Sequence, residues 1–234
     1  VFYDQAMSDE VGEQLELRDE LRHALERDQL EVHYQPIIDA ATGRVAAAEA
    51  LVRWKHPSKG LLSPAGFIEV AEQSGLINPI GNWVLREALA MAAVWQEAVD
   101  HPVTIHVNVS AHQLKQGDFA QTVETALRDA GVPSRVLDLE MTESAMIEDS
   151  ARAQALLESL KTIGVKIALD DFGTGFSSLS YLKSLPVDTI KIDKSFIDDI
   201  PTSERDAALV DAILTLGDRL DNDIIAEGVE TVQQ

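Results

Sequence analysis

Asp170 and Asp171 end the run Val165, Lys166, Ile167, Ala168, Leu169, and the turn Phe172, Gly173, Thr174, Gly175 follows at once. A strand this apolar belongs in a sheet or barrel interior, where unpaired anions at its mouth repel one another and lose hydration. A cation between the two carboxylates relieves both penalties. The doublet alone has a plainer explanation, because Asp caps turns and helix starts well, and taken by itself it slightly favours the turn.

Recurrence changes that balance. Residues 45–48 lead into Glu49, 104–107 into Asn108, and 135–139 into Glu140, with Thr142 and Glu143 close behind. Residues 187–190 lead into Lys191 and then Asp193, and 224–226 lead into Glu227, with Glu230 soon after. Six strand-like segments thus deliver a polar group at their ends. Open sheets bind ligands mainly at a switch point, whereas a barrel gathers side chains from nearly every strand end around one mouth.

The elements needed to hold such a mouth are legible as alternating helical and extended segments. Helices are expected over 14–27, 63–73, 82–98, 119–129, 150–161, 178–183 and 204–220. Strands are expected over 29–38, 45–54, 104–108, 135–140, 165–169, 187–191 and 223–226, the last being the seventh. Repeated βα units imply a parallel sheet with right-handed crossovers, and the spread of polar ends favours a closed barrel over an open sheet.

Composition narrows the chemistry. The 234 residues, 45% hydrophobic, suit one large core. There is no cysteine, and the six histidines lack zinc-like spacing, so a metal here must be held by oxygen, which selects Mg²⁺, Mn²⁺ or Ca²⁺. A net charge of -21 argues against duplex nucleic acid as a partner, yet leaves room for a small anion, since bound divalent ions reverse the local field. The most apolar stretch, 83–95, contains Arg86 and Glu87 and is amphipathic, so neither a membrane span nor a signal peptide is expected, and no membrane contact from this segment. His106, two residues before Asn108, reads as a satisfied inward-facing side chain, and Trp54, Trp83 and Trp95 read as packing residues.

Seven motifs occur together in order: Tyr34-Gln35-Pro36-Ile37; Glu49-Ala50-Leu51-Val52-Arg53-Trp54; Asn108-Val109-Ser110; Glu140-Met141-Thr142-Glu143-Ser144; Asp170 to Gly175; Lys191-Ile192-Asp193; and Glu227-Gly228-Val229-Glu230-Thr231. In these the chain resembles EAL domains, bacterial phosphodiesterases that open cyclic di-GMP to linear pGpG. The resemblance implies an α/β fold, a modified TIM (β/α)8 barrel with one antiparallel strand. It implies two divalent cations, Mg²⁺ or Mn²⁺, with Glu49, Asn108, Glu140 and Asp170 as ligands of one and Asp170, Asp171 and Glu227 serving the other. Lys191 would hold or deprotonate the attacking water; its rival reading is a charged lysine paired with Glu or phosphate. Gln35, Arg53, Asp193 and Glu230 would contact substrate, although Arg53 could be a rim salt bridge and Asp193 or Glu230 a helix cap. Glu143 would pin the loop after Asp171.

The same resemblance bears on organisation. Residues 1–20 look like the connector helix that follows an upstream GGDEF domain, and 21–234 like an EAL domain whose closing strand is absent from this chain. A homodimer, a cytoplasmic location and a membrane-anchored parent protein are compatible expectations. Phe176 stands where tyrosine is commoner in the family, with little effect expected. The rival to an enzyme is a catalytically silent receptor of the same fold that binds cyclic di-GMP without turnover; such members usually lack a ligand or the lysine, and here all are present.

Overall fold

The computed structural model describes residues 5–147, 150–173 and 185–234. Among these, the strands β1 (Leu30–Ile38), β2 (Val45–His56), β3 (Gly60–Leu62), β4 (Thr104–Asn108), β5 (Leu137–Thr142), β6 (Lys166–Phe172), β7 (Thr189–Ile192) and β8 (Asp223–Ala226) form one sheet. Its order is β1-β2-β4-β5-β6-β7-β8, with β3 beside β2. Every pairing from β2–β4 to β7–β8 is parallel, as the alternating βα pattern requires. β1 and β2 pair antiparallel, so β1 is the strand of opposite sense. The count exceeds the expected seven because β3 is only three residues long and is recruited by pairing with Trp54, Lys55 and His56.

Several helix boundaries move for local reasons. The first helix is Gln5–Arg22, not 14–27: Asp28 takes a left-handed φ of 52°, and the chain turns into β1. The expected helix over 63–73 divides into a short 3-10 turn, Pro64–Gly66, and the helix Ile68–Ser74, which ends on Gly75 at φ 75°. The helix expected from Asn82 starts earlier and spans Ile77–Ala98. Its early turns carry Gly81 and Asn82, weak helix formers that hide the start in a propensity reading. Phe119–Ala130, Ser150–Ile163 and Glu204–Leu220 fall where expected, and the helix expected over 178–183 lies outside the described residues.

Alternation along the strands separates two kinds of interior. Leu137 and Leu139 project to one face of β5 and Asp138 and Glu140 to the other, yet all four are buried. The apolar set of β4, β5, β6 and β7 (Ile105, Leu137, Leu139, Ile167, Leu169, Ile190) joins Leu85, Ala88 and Leu89 of the Ile77–Ala98 helix and Val123 and Leu127 of the next in one core. The polar set faces the other way, into the curl of the sheet. Helices thus bury the hydrophobic face and the sheet encloses the charges.

Leu89 has no exposed surface and sits inside a helix where alanine is the best helix former. Leu89→Ala therefore isolates packing from propensity. It should cost about 2–5 kcal/mol, read as a lower denaturation midpoint at unchanged slope in a urea titration.

Candidate active site

The C-terminal ends of the parallel strands supply the polar cluster. Parallel register sets Asn108 beside Glu140 and Thr142 beside Asp170, so neighbouring strands present their groups on one inward face, with Asp170 two residues beyond the partner of Glu140. Asn108 Nδ2 donates to Glu49 Oε1 at 2.7 Å. Lys191, on β7 and 2% exposed, reaches four carboxylates: Glu227 at 2.7 Å, Glu140 at 2.9 Å, Asp170 at 3.0 Å and Glu49 at 3.6 Å.

Asp170 and Asp171 are successive strand residues, which ordinarily point to opposite faces. The β6–β7 register shifts between Leu169 and Phe172, and Asp171 sits at a left-handed φ of 54°, a conformation Asp tolerates better than most residues. This irregularity re-aims the second carboxylate, as bulges do. Ligand atoms of Asp170, Asp171 and Glu227 come within 4.8 Å of one another as a result. Gly173 follows at φ 100°, and a Cβ there would lie 2.9 Å from the Phe196 ring, so both the left-handed backbone and the close approach favour glycine.

Electrostatics mark the cluster as charge-frustrated. Burial, reinforced by Asp170, pushes the Glu140 carboxyl up to about 7 against the pull of Lys191. Burial likewise raises Glu49, Asp171 and Glu227 above the usual carboxylate range. For Lys191, burial pushes the amine down, but Glu140, Asp170 and Glu49 together outweigh it and hold the ammonium well above its ordinary range. In this arrangement Lys191 is the charged partner of carboxylates, the rival of the two roles expected for it.

Other expected residues are placed less uniformly. Gln35 pairs across the β1–β2 hairpin with Glu49, which brings it to the rim. Arg53 shares a strand face with Glu49 and its Nη1 donates to Val52 O at 2.9 Å, with no salt bridge among the described residues. Asp193 caps the helix Lys194–Asp198 by accepting from Ser195 N at 3.0 Å, the structural alternative foreseen for it. Glu230 is exposed and pairs with Lys194 at 3.2 Å. Glu143 is buried at the start of the helix Glu143–Ile147, and most of the loop it was expected to pin lies outside the described residues.

Trp54 is fully buried, edge-on to Phe67, and Trp83 and Trp95 pack against the core. Beside Glu49 and Asn108 opens a cavity of about 610 Å³ with an apolar wall that includes Ile68, Ile80 and Val109. Its edge is fixed by a capping box in which Ser110 Oγ accepts from Gln113 N and Gln113 Oε1 from Ser110 N. Gln113 lies so close over Gly81 that a Cβ there would fall 2.3 Å from its Nε2. Neither Gly81 nor Gln113 stands out by residue type. Asp138 was also overlooked: the alternation Leu137-Asp138-Leu139-Glu140 puts it on the inner face with Glu140.

All donors in the cluster are oxygens, three acidic groups converge within reach of one ion, and the surplus of buried carboxylates over Lys191 calls for positive charge. The residues fit hard divalent cations. A family profile described as EAL domain matches residues 18–234. The chain belongs to the EAL-domain family. It is 44% identical over 233 residues to the bifunctional diguanylate cyclase/cyclic di-GMP phosphodiesterase MucR of Pseudomonas aeruginosa, covering all of this chain and 34% of that protein. To the cyclic di-GMP phosphodiesterase NbdA of the same organism it is 43% identical over 233 residues, covering 100% of this chain and 30% of NbdA. This EAL chain therefore spans about a third of the length of those curated relatives. The solved MucR phosphodiesterase in complex with c-di-GMP superposes with a TM-score of 0.89 at 44% identity, over 93% of this chain and 88% of that one. The curled, mostly parallel sheet is thus that of the modified TIM barrel of EAL structures.

Replacing Lys191 by methionine keeps the side-chain length and removes the only ammonium that touches the cluster among the described residues. Without added metal, Lys191→Met should lose about 3 kcal/mol of stability, as expected when one partner of a buried charge cluster is removed. Millimolar Mn²⁺ should restore part of it, read as the shift in denaturation midpoint with and without the ion.

Proposed function

We propose that this chain is a metal-dependent phosphodiesterase that hydrolyses cyclic di-GMP to linear pGpG. The observation that carries the reading is the ring of Glu49, Glu140, Asp170 and Glu227 around Lys191, extended by Asn108 on Glu49 and by Asp171 beside Asp170 and Glu227. The names of MucR and NbdA and the MucR complex support the substrate.

Glu49, Asn108, Glu140 and Asp170 would hold one divalent ion, Mg²⁺ or Mn²⁺, and Asp170, Asp171 and Glu227 a second. Such a pair, when bound, supplies Lewis acidity toward phosphoryl oxygens and water acidic enough to attack at neutral pH. The chain's own groups do the rest. Lys191 stands at the centre of the ring, where its Nζ can orient the attacking water and offset charge that develops on the phosphorane-like transition state. Arg53 and Gln35 lie on the β2 and β1 rim, where the guanidinium can turn from Val52 O to a phosphate oxygen. Glu143 would pin the loop after Asp171, and the apolar wall of the 610 Å³ cavity can cover a purine base. Asp193 and Glu230 flank the Lys191 and Glu227 strand ends and complete the proposed substrate contacts.

The wider setting follows from the same reading: a cytoplasmic module, working as a homodimer, joined through the Gln5–Arg22 helix to an upstream GGDEF domain. No described helix is long and apolar enough to cross a membrane.

The test is incubation of the chain with cyclic di-GMP and Mg²⁺ or Mn²⁺, with product resolved by chromatography. Formation of pGpG is expected, abolished by a chelator and lowered about 10²–10⁴-fold in Lys191→Ala and at least comparably in Asp170→Asn. Tight binding of cyclic di-GMP without turnover under both metals would make the chain a receptor instead.

A further inference from the structure

Below the ring, inside the curl of the sheet, lies a second polar layer that the proposed reaction does not use. His106 on β4 is 3% exposed and Asp138 on β5 is 2% exposed, and the two are register partners. His106 Nδ1 is 2.9 Å from Glu140 Oε1, and on the far side of the ring Nε2 is 3.8 Å from Asp138 Oδ2. Thr189 Oγ1, from β7, donates to the same Asp138 oxygen at 3.1 Å. The imidazole is therefore walled in: Glu140 above, Asp138 below, Thr189 fixing Asp138.

We infer that His106 is a positioning residue for Glu140, donating its Nδ1–H to Oε1 so that Oε2 alone faces the barrel axis. The inference rests on the proposed role of Glu140 as a cation ligand. Glu140 Oε2 already points at Lys191 Nζ, 2.9 Å away, which is the direction from which a cation at the ring would bind. A glutamate carboxylate on a stem of three rotatable bonds otherwise samples several rotamers, and holding one oxygen aside removes that cost from cation binding. A carboxylate whose outer partner is lost typically binds its metal 10–100-fold more weakly. His106 touches neither the cation position nor the substrate cavity, so its effect must pass through Glu140.

Which ring nitrogen matters makes the idea testable. Asn places its amide nitrogen near the position of imidazole Nδ1, whereas Gln places it near Nε2. Mn²⁺ affinity would be measured by calorimetry on the whole chain, alongside far-ultraviolet circular dichroism and cyclic di-GMP hydrolysis. His106→Ala should remain folded and bind Mn²⁺ about 10–100-fold more weakly. His106→Asn should recover most of that loss and His106→Gln should not. Equal affinity in the Asn and Gln variants, or an alanine variant that binds within twofold of the parent, would overturn the inference even if hydrolysis is confirmed. Should the alanine variant unfold, the Asn–Gln pair decides. A parent that binds Mn²⁺ but never yields pGpG, with the Asn–Gln difference intact, would sink the hydrolase reading and leave the positioning role standing. A parent that binds no Mn²⁺ would sink both.

Discussion

One ammonium faces more negative charge than it can neutralise, and the architecture of the barrel mouth is organised around that mismatch. Lys191 lies within 3.6 Å of Glu49, Glu140, Asp170 and Glu227. A unit pair at 4 Å contributes roughly 4 kcal/mol at an effective dielectric of 20, and repulsion between two carboxylates at similar range costs as much. Four ionised carboxylates about one ammonium carry more mutual repulsions than attractions. Burial first, and the neighbouring carboxylates after it, push Glu140 up to about 7 and hold Glu49 and Glu227 above the usual carboxylate range. Under the proposed function divalent cations would relieve the repulsion, so the residues that destabilise the bare site would be those that select its occupants.

The backbone reaches this arrangement through one rule and one exception. The rule is parallel register, which sets Asn108 opposite Glu140 and Asp170 opposite Thr142, two residues beyond Glu140 on the same inward face. The exception is the β6 irregularity, where Asp171 at φ 54° and Gly173 at φ 100° let two adjacent aspartates serve one site. A regular strand would send Asp171 to the helix side, among the apolar groups. The local strain is tolerable because Phe172 between them stays buried and anchored beside Ile192.

Much of this was readable from residue order. Polar groups closing apolar runs identified Glu49, Asn108, Glu140, Asp170, Lys191 and Glu227 as strand-end residues; the last five lie at or near a strand's C-terminal end, whereas Glu49 lies mid-strand because β2 runs on to His56. Period-two alternation carried that signal because the lumen side is polar and the helix side apolar. The signal failed where residues are placed by contact and not by pattern. β3 has three residues and no period, and Gly81 matters only because Gln113 rests on it. Asp138 was visible in the alternation, but its partner Thr189 is 51 residues away, and proximity of that kind needs the fold.

The overall charge makes the order of events a physical matter. With a net charge of -21, the chain repels an anionic phosphodiester at long range, and the local cations do little to help while the ring is bare. Lys191 is enclosed by carboxylates, Lys194 is paired with Asp198 at 2.7 Å and with Glu230, and the Arg53 guanidinium is turned to a backbone carbonyl. Two divalent ions would add four positive charges at the mouth and free Lys191 from some of its partners, reversing the field where the phosphates must lie. Under the proposed function, cation loading therefore precedes productive substrate binding, because the same carboxylates that hold the ions exclude the substrate without them.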